Sequence, residues 1–413
     1  MSADTFERID LFDPDNYVEA PPHEAFEHLR RTDPVHRQEM PDGTWYWAVL
    51  RHADVVHVSR NHEMFSAERG GVILEDQPPE RLEQSRNQLL QMDPPRHTGL
   101  RKSVFPSFKP VVLAELEDSI RSICRGLMDK VADLGDVEFV HQIASYLPSQ
   151  VIGELMAIPS SDWMLINDWA ERITGGQDPE LNPDYEVTAV SDASRAMTTY
   201  GIEYAAGRRA GNLDDATDVG ARLLVTTVDG HPMTDVQFGS FFTQLVVAGN
   251  DTTRTMLSSG LLALLQHPEQ FALLREDLSL IPSTIEEILR WANPLHYFRR
   301  TATADTTLGD QHIRAGDKVV VWFGAANRDP NEFGCPAEFD LDREGNRHIA
   351  FGAGPHRCAG SNLARMNLRI AVEELLRRLS DVRLATGEVH FHPGYSRAPS
   401  AIEIEFTPAE RES

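Results

Sequence analysis

The sequence has little cysteine and little positive charge. Cys124, Cys335 and Cys358 are the only cysteines in 413 residues, too few and too scattered for a disulfide framework. No C-x-x-C pair or histidine-rich cluster indicates a zinc site. Lysine and arginine total 39 against 64 aspartates and glutamates, a formal net charge of −25. This balance disfavours nonspecific binding to nucleic acid or to an anionic membrane surface.

Long apolar runs are also missing. No window approaches about 18 apolar residues without a charge, so no membrane span is predicted. The first residues, MSADTFERIDLFDPDNYVEAPP, carry acids and prolines where a signal peptide would carry basic residues and an apolar run. These features predict a cytoplasmic protein. With 41% hydrophobic residues, the chain can bury a large core.

Periodicity predicts a mainly α fold with a smaller β portion in the first and last thirds of the chain. TWYWAVL (44–50) indicates a strand, and residues 302–324 indicate strands with turns at Gly309–Asp310 and Ala315–Gly316. Helices and strands do not alternate regularly, which argues against a Rossmann sheet. No repeat or linker divides the sequence, so residues 1–413 are expected to form a single domain.

The longest predicted helix covers 234–267. Thr234 and Gln237 form a T-x-x-Q capping box at its start, and Pro268 ends it. Its length would be roughly 48 Å at 1.5 Å per residue. Its middle, AGNDTT (248–253), consists largely of residues that compete with helical hydrogen bonds. Such a conflict between local preference and overall pattern predicts a functional site.

A second unusual segment, HIAFGAGPHRCAG (348–360), holds three glycines and a cysteine just before an amphipathic helix. Gly352 and Gly354 permit backbone conformations closed to other residues and the close approach of a flat group. The helix N-terminus and neighbouring Arg357 are expected to stabilise a Cys358 thiolate. From the loop alone, Cys358 is a nucleophile, a metal ligand or an inert buried thiol.

The segment 351–360 has the pattern F-G-x-G-x-H-x-C-x-G and resembles the signature of the cytochrome P450 superfamily. Three more motifs agree in order. AGNDTT resembles the oxygen-activating part of the family's central helix, Glu287 and Arg290 match its E-x-x-R pair, and PAEFDLDR resembles the segment whose arginine, here Arg343, joins that pair. The resemblance covers essentially the whole chain. It implies the cytochrome P450 fold, with a long central distal helix over haem and a proximal cysteine loop.

The resemblance further implies haem b as cofactor, with Cys358 as the proximal iron ligand. Glu287, Arg290 and Arg343 are expected to form a buried structural network. The positions that match propionate partners are His97, Arg101, Arg300 and His348, of which the first two share a helix face at i, i+4. The other positions implied to contact the cofactor are Ala248, Gly249, Phe351, Gly352, His356 and Gly360.

Asp251 and Thr252 match the family's proton-delivery pair. The Thr252 hydroxyl can hydrogen-bond to bound dioxygen, the Asp251 carboxylate can relay protons from solvent, and Gly249 is expected to leave room for dioxygen. The implied enzyme is a monooxygenase that uses O2 and two electrons. It would hydroxylate an unactivated C–H bond of a hydrophobic small molecule such as a long-chain lipid, sterol or terpenoid.

The sequence contains no flavin or iron–sulfur motif, so electrons are expected from a ferredoxin and a ferredoxin reductase. Arginines around and beyond the cysteine are expected to form a basic docking patch for the ferredoxin: Arg357, Arg365, Arg369, Arg377 and Arg378. Substrate contacts are expected from 66–90, 170–181, the distal helix, the turn at 294–298 and the tail at 392–401.

Three alternatives stay open. A natural-product tailoring hydroxylase would act on an amino acid or acyl chain bound to a carrier protein. A peroxide-driven peroxygenase is disfavoured because such relatives tend to lack the acid–alcohol pair, and a haem sensor would need neither that pair nor the arginines. Within the presumed pocket, His296 is either a polar handle for substrate or a structural histidine.

Overall fold

The computed structural model describes residues 10–17, 21–175, 187–211, 213, 218–228, 230–385, 389, 391 and 398–408. Over these ranges helices outweigh strands, as predicted. The helices are α1 (His23–Thr32), α2 (His52–Arg60), α3 (Pro79–Ser85), α4 (Arg96–Val104), α5 (Pro110–Leu113), α6 (Glu117–Val131), α7 (Tyr146–Leu155), α8 (Trp163–Thr174), α9 (Val187–Ala210), α10 (Val219–Leu224), α11 (Asp235–Gln266), α12 (Pro268–Glu276), α13 (Ile281–Ala292), α14 (Phe323–Ala326) and α15 (Ser361–Arg378).

The strands are short, and most of them lie in the first and last thirds of the chain, whereas β5 and β6 lie in the middle third. They are β1 (Val35–Glu39), β2 (Trp45–Val49), β3 (Phe65–Ser66), β4 (Asp136–Glu138), β5 (Thr227–Val228), β6 (His231–Pro232), β7 (Tyr297–Ala302), β8 (Thr306–Leu308), β9 (Gln311–Ile313), β10 (Lys318–Trp322), β11 (Leu379–Leu384) and β12 (Glu403–Pro408). The strands predicted within 44–50 and 302–324 are therefore confirmed.

One mixed sheet has the strand order β1-β2-β10-β7-β3, in which β2 and β10 run parallel and the other neighbours antiparallel. A second sheet joins β11, β12 and β4. The β8–β9 hairpin turns at Gly309 and Asp310, as predicted. Gly309 has a φ of 55°, the left-handed conformation that such tight hairpin turns require.

Strand β7 sends two adjacent arginines to opposite faces, because side chains alternate along a strand. Arg299 turns toward the segment after β3, where it donates to the Leu74 carbonyl at 3.0 Å and to the Asp76 carboxylate at 2.7 Å. Lys318 of β10 reaches the same carboxylate at 2.9 Å. Arg300 turns the other way, toward the candidate site. One strand thus anchors a surface segment and supplies a site residue.

Helix α11 contacts α7, α8, α9, α13 and α15, so it runs through the middle of the helical part. The predicted capping box closes its first turn. The Gln237 backbone N–H donates to the Thr234 hydroxyl at 3.2 Å, and the Gln237 side chain accepts from the Thr234 N–H at 2.9 Å. Apolar clusters pack against both halves of the helix and hold its middle in place.

The segment 248–253 stays helical even though its composition competes with a helix. Hydroxyl groups on this helix donate to carbonyls four residues earlier, from Thr252 to Ala248 at 2.6 Å and from Thr255 to Asp251 at 2.9 Å. These hydroxyl groups are therefore satisfied inside the helix, while the Asn250 amide donates across to Asn167 of α8 at 3.1 Å.

Candidate active site

The cysteine loop depends on two glycines for its shape. Gly352 and Gly354 have left-handed φ values of 69° and 68°. A Cβ on Gly354 would overlap the carbonyl oxygen of Ser59 in α2, so this glycine lets the loop pack against α2. A Cβ on Gly352 would meet nothing nearer than 4.0 Å, which leaves that side open to a flat group. The Cys358 N–H donates to the Phe351 carbonyl at 2.8 Å and closes the loop.

Cys358 lies deep in the protein, yet its side chain is exposed because it faces an internal space. Burial raises the pKa of the thiol, while the Gly360 N–H and the charges of Arg101, Arg357 and Arg365 act to lower it. Apart from that of Arg101, these lowering contributions come from the loop and the start of α15 that the sequence singled out, and stabilisation of a thiolate there stays a prediction.

Two histidines from different elements stack on each other at the site. The rings of His97 in α4 and His356 in the loop have centroids 4.3 Å apart. Both ring nitrogens of His97 and Nε2 of His356 are buried without a hydrogen-bond partner among the described residues. Burial, followed by nearby arginine charges, lowers the pKa of His97 to about 4 and that of His356 to about 2, so both are neutral near pH 7. Buried polar atoms are normally bonded. The pair therefore suits a ligand that brings acceptor oxygens.

Arg101 and Arg300 reach the same region. Arg101 lies one turn after His97 on α4 and interacts electrostatically with Cys358. The charge of Arg300 acts on both histidines. Two cations next to two neutral histidines match the two carboxylates of a haem. The structure thus brings together His97, Arg101, Arg300, His356 and Cys358.

His348 does not join this group. Its Nε2 lies 3.0 Å from the Glu286 carboxylate, and its Nδ1 accepts the Ala350 N–H at 3.2 Å. Both ring nitrogens are therefore engaged by protein groups, and the role of His348 as a propionate partner stays a prediction. Burial would raise the pKa of Glu286, but its hydrogen bonds from Arg365 and His348 outweigh burial and lower it to about 2. Glu286 lies 62 residues before His348 in the sequence, so the pattern around Cys358 gave no indication of the His348–Glu286 contact.

The proton-delivery residues lie on two sides of α11. Ala248 is exposed and Thr252 partly exposed in the middle of this central helix, so they face an internal space. Asp251 is buried on the packed side and accepts from Arg254 at 2.7 Å. Arg254 also lies 3.8 Å from Glu171 of α8, a residue that the sequence did not single out. Thr252 is therefore on the accessible side and Asp251 is held in an ion pair.

Gly249 faces away from the accessible side. A Cβ at this position would come within 3.0 Å of Ile152 in α7. The glycine therefore permits close packing of α11 on α7, and its role in leaving room for dioxygen stays a prediction. Its neighbour Ala248 occupies the accessible side instead.

Comparison with known proteins decides what this arrangement is. The cytochrome P450 family profile matches residues 209–384. The chain is 38% identical to the methyl-branched lipid omega-hydroxylase of Mycobacterium tuberculosis over 88% of this chain and 86% of that protein. It is 34% identical to the steroid C26-monooxygenase of Rhodococcus jostii over 98% of this chain and 86% of that protein. A solved Mycobacterium marinum cytochrome P450 in complex with pseudoionone has 36% identity and a TM-score of 0.86, covering 93% of this chain and 94% of that one. The chain is a cytochrome P450.

As a cytochrome P450, the chain is a monooxygenase with haem b as its cofactor, and it uses O2 and electrons from a redox partner. The residues fit the haem: an open side at Gly352, an accessible thiol, two neutral histidines and two arginines converge on one region. Among the described helices, none has the length and apolarity of a membrane span.

The E-x-x-R residues of this P450 lie in a buried charge cluster. Arg290 donates to Glu287 at 2.7 and 2.8 Å, and Arg343 Nε lies 3.1 and 3.2 Å from the two Glu287 oxygens. Asn346, which the sequence did not single out, also donates to the Glu287 carboxylate at 3.0 Å. The remaining Arg290 donors bond to the carbonyls of Asn327, Pro336 and Glu338. The three predicted residues are thus brought together, away from the histidine pair.

The predicted basic patch is largely neutralised by acids. The partners lie at 2.6 to 3.7 Å and are Glu286 for Arg365, Glu117 and Glu373 for Arg369, and Glu374 for Arg377 and Arg378. Arg357 is exposed and has no acidic partner among the described residues. The patch is therefore less positive than predicted, because acids from α6, α13 and α15 itself pair with it.

The predicted substrate segments are only partly described. Residues 176–181 and 392–397 lie outside the described residues. Within 66–90, the Leu89 N–H donates to Gln244 of α11 at 2.8 Å, which ties this loop to the distal helix. His296 is buried with its ring 4.3 Å from Tyr17, which favours a structural role over a substrate handle.

Proposed function

We propose that this cytochrome P450 hydroxylates an unactivated C–H bond of a methyl-branched lipid, a steroid or a terpenoid. The observation that carries the proposal is the 34 to 38% identity, over most of the chain, to enzymes named for a steroid and for a methyl-branched lipid. Leu245 and Ala248, one turn apart on α11, are consistent with an apolar substrate, because both are at least partly exposed on this central helix.

In this proposal Cys358 holds the haem iron, and the Gly360 N–H bonds to its sulfur and orients it. The propionates would be held by His97, Arg101, Arg300 and His356. The bound haem supplies the activation of O2 and the transfer of one oxygen atom to the substrate. The protein contributes ligation, orientation and charge. Phe351 and Gly352 shape the loop side that the porphyrin faces.

Asp251 and Thr252 are proposed to move protons to the accessible side of α11. The Thr252 hydroxyl donates to the Ala248 carbonyl, so its oxygen lone pairs remain to accept a further hydrogen bond. Asp251 has to leave Arg254 before it can take up and pass on a proton. Glu171, 3.8 Å from Arg254, can balance the Arg254 charge when Asp251 leaves. This arrangement supports the O2-dependent reaction, in which two protons have to be delivered, over a peroxide-driven one, whose oxidant already carries two protons.

Electrons are proposed to come from a ferredoxin that is reduced by a ferredoxin reductase. Because four of the five patch arginines are paired with acids, docking is expected to depend mainly on Arg357, next to the cysteine. A cytoplasmic location, where such partners occur, stays a prediction of the sequence.

The substrate class is tested by spectral titration of the haem-loaded protein with matched ligands. A methyl-branched fatty acid is compared with its straight-chain isomer, and a sterol with a branched side chain is compared with one lacking the side chain. Branched ligands should give low-to-high-spin shifts with about tenfold lower Kd, because a pocket shaped for one methyl group discriminates by about that factor. Shifts seen only with acyl groups on a carrier protein would contradict this proposal and support the tailoring alternative.

Turnover separates the remaining alternatives. With a ferredoxin, its reductase and O2, a shifting ligand should be converted to a hydroxylated product. Equal product formation from hydrogen peroxide alone would indicate a peroxygenase. Ligand-induced shifts without product under either condition would indicate a sensor.

A further inference from the structure

A partly buried ion-pair cluster lies behind the cysteine loop. Arg365 of α15 donates two hydrogen bonds to Glu286 of α13, at 2.6 and 2.7 Å. The same carboxylate holds His348 at 3.0 Å. Two parallel bonds to one carboxylate fix the plane of a guanidinium, as a single bond would not. Arg365 is thus oriented by groups on two other elements.

The fixed guanidinium lies over an aromatic ring of the loop. Its central carbon is 4.6 Å from the centroid of the Phe351 ring, within the range of a cation–π interaction. The His348 ring packs against the same phenyl ring, with centroids 6.0 Å apart. The Phe351 carbonyl accepts the Cys358 N–H at 2.8 Å, so the ring and the thiol belong to one closed turn. Arg365 is also one of the cations that interact electrostatically with Cys358.

We propose that Glu286 and His348 position Arg365 so that its charge, held against Phe351, sets how readily the haem-loaded protein accepts an electron. A fixed positive charge near the thiolate stabilises the reduced state, which carries one more negative charge. Arg365 is a positioning residue, since it contacts Phe351 and not the iron. The inference rests on Cys358 being the iron ligand, as the proposed function has it. It replaces the predicted ferredoxin-docking role, because the Arg365 charge is engaged inside the fold.

Arg369 provides a matched control. It lies one turn further along α15 and carries the same charge, but it bonds to Glu117 and Glu373 at 2.8 and 3.0 Å. No ring contact of Arg369 occurs among the described residues. A general effect of removing one positive charge from this helix would be the same at both positions, whereas the proposed effect is confined to Arg365.

The experiment measures the ferric–ferrous equilibrium of the haem-loaded protein by dithionite titration with mediator dyes. Arg365→Gln should shift the equilibrium constant about threefold to tenfold toward the ferric form, the range of a cation–π contact. A tenfold shift corresponds to about 59 mV for one electron. Arg369→Gln should change it by less than about twofold, because Arg369 is paired with two carboxylates and holds no ring of the cysteine loop. Arg365→Lys keeps the charge but not the planar guanidinium. Its ferric–ferrous equilibrium constant should lie between those of the wild type and Arg365→Gln.

Three results would overturn the inference. Arg365→Gln and Arg369→Gln could shift the equilibrium equally, or Arg365→Gln could leave it unchanged. Both Arg365 variants could also fail to retain haem while Arg369→Gln retains it, which would show a purely structural role. The CO spectrum of reduced wild-type protein tests the ligand separately. A histidine-type spectrum would refute Cys358 as ligand, whereas a thiolate spectrum with no Arg365 effect would refute this inference alone.

Discussion

The Glu287 cluster and the His97–His356 pair are both buried, but they differ in how their polar atoms are bonded. All five N–H donors of Arg290 have acceptors, from Glu287 and three backbone carbonyls. In the histidine pair, three ring nitrogens have no partner among the described residues. A fully bonded guanidinium such as that of Arg290 has nothing left to offer a ligand, while each unbonded buried group costs roughly 1–3 kcal/mol until a ligand binds. The difference in bonding fits a structural role for Arg290 and a binding role for the two histidines.

The largest effect is expected from breaking the bonded cluster. Glu287→Gln leaves Arg290 and Arg343 buried without a negative partner, which should lower the free energy of unfolding by about 3–5 kcal/mol. Chemical denaturation of the purified protein measures this. Glu405→Gln is the control, since its pair with Arg383 is exposed and should contribute roughly 0–1 kcal/mol. Similar losses in both variants would contradict a special role for the cluster.

Thr252→Ala should affect the reaction and leave the fold unchanged. Loss of a hydroxyl that is positioned in the path of the protons costs about a hundredfold in the step it serves. Haem content and substrate-induced spin shifts should stay near wild type, while electrons from NADH, supplied through the reductase and ferredoxin, should yield peroxide in place of product. Product and peroxide are measured together. Full coupling of electrons to product in this variant would exclude Thr252 from proton delivery.

Replacing a histidine of the pair should affect haem retention and not stability, which is the opposite of what is expected for Glu287→Gln. His97→Phe removes unbonded buried nitrogens, so the haem-free protein should be as stable as wild type or more stable. The same change should speed haem transfer to an acceptor apoprotein by about tenfold or more, because a hydrogen bond to a propionate is lost. His348→Phe is the control, with little effect on haem transfer expected. Equal haem loss in both variants would support the prediction that His348 also holds a propionate.

The pH dependence of the stability of the haem-free protein provides a further test of the buried histidine pair. The pKa of His97 is lowered from 6.5 to about 4 and that of His356 from 6.5 to about 2. Below pH 6.5 the unfolded chain therefore binds protons that the folded chain does not, and stability falls by up to about 1.4 kcal/mol per pH unit for each histidine. The contribution of His97 levels off near pH 4. Urea denaturation between pH 7 and about 4.5 should show a shallower fall in the double Phe variant, and identical slopes would contradict these shifts.

The sequence predicted the parts of the site that are encoded locally. The spacing of Glu287 and Arg290 puts both on one helix face, and the glycine pattern around Cys358 specifies its own turn. Contacts between residues that are distant in the sequence could not be predicted in the same way. His348 lies near the loop in sequence, but Glu286 of α13 determines its bonding. Which residues lie next to Gly249 depends on how α11 packs against α7, and the local sequence pattern does not predict that packing.

The two-sided strand β7 has a consequence for engineering the substrate range of this P450. Residues 66–90 are expected to contact substrate and could be varied in a mutant library. Part of this segment is held by Arg299, which donates hydrogen bonds to the Leu74 carbonyl and the Asp76 carboxylate. A Cβ at Gly70 would overlap the Arg299 guanidinium, so any side chain there pushes on the strand that also carries Arg300. A library that keeps Gly70 and Asp76 fixed can vary the rest of the loop without loosening the cofactor.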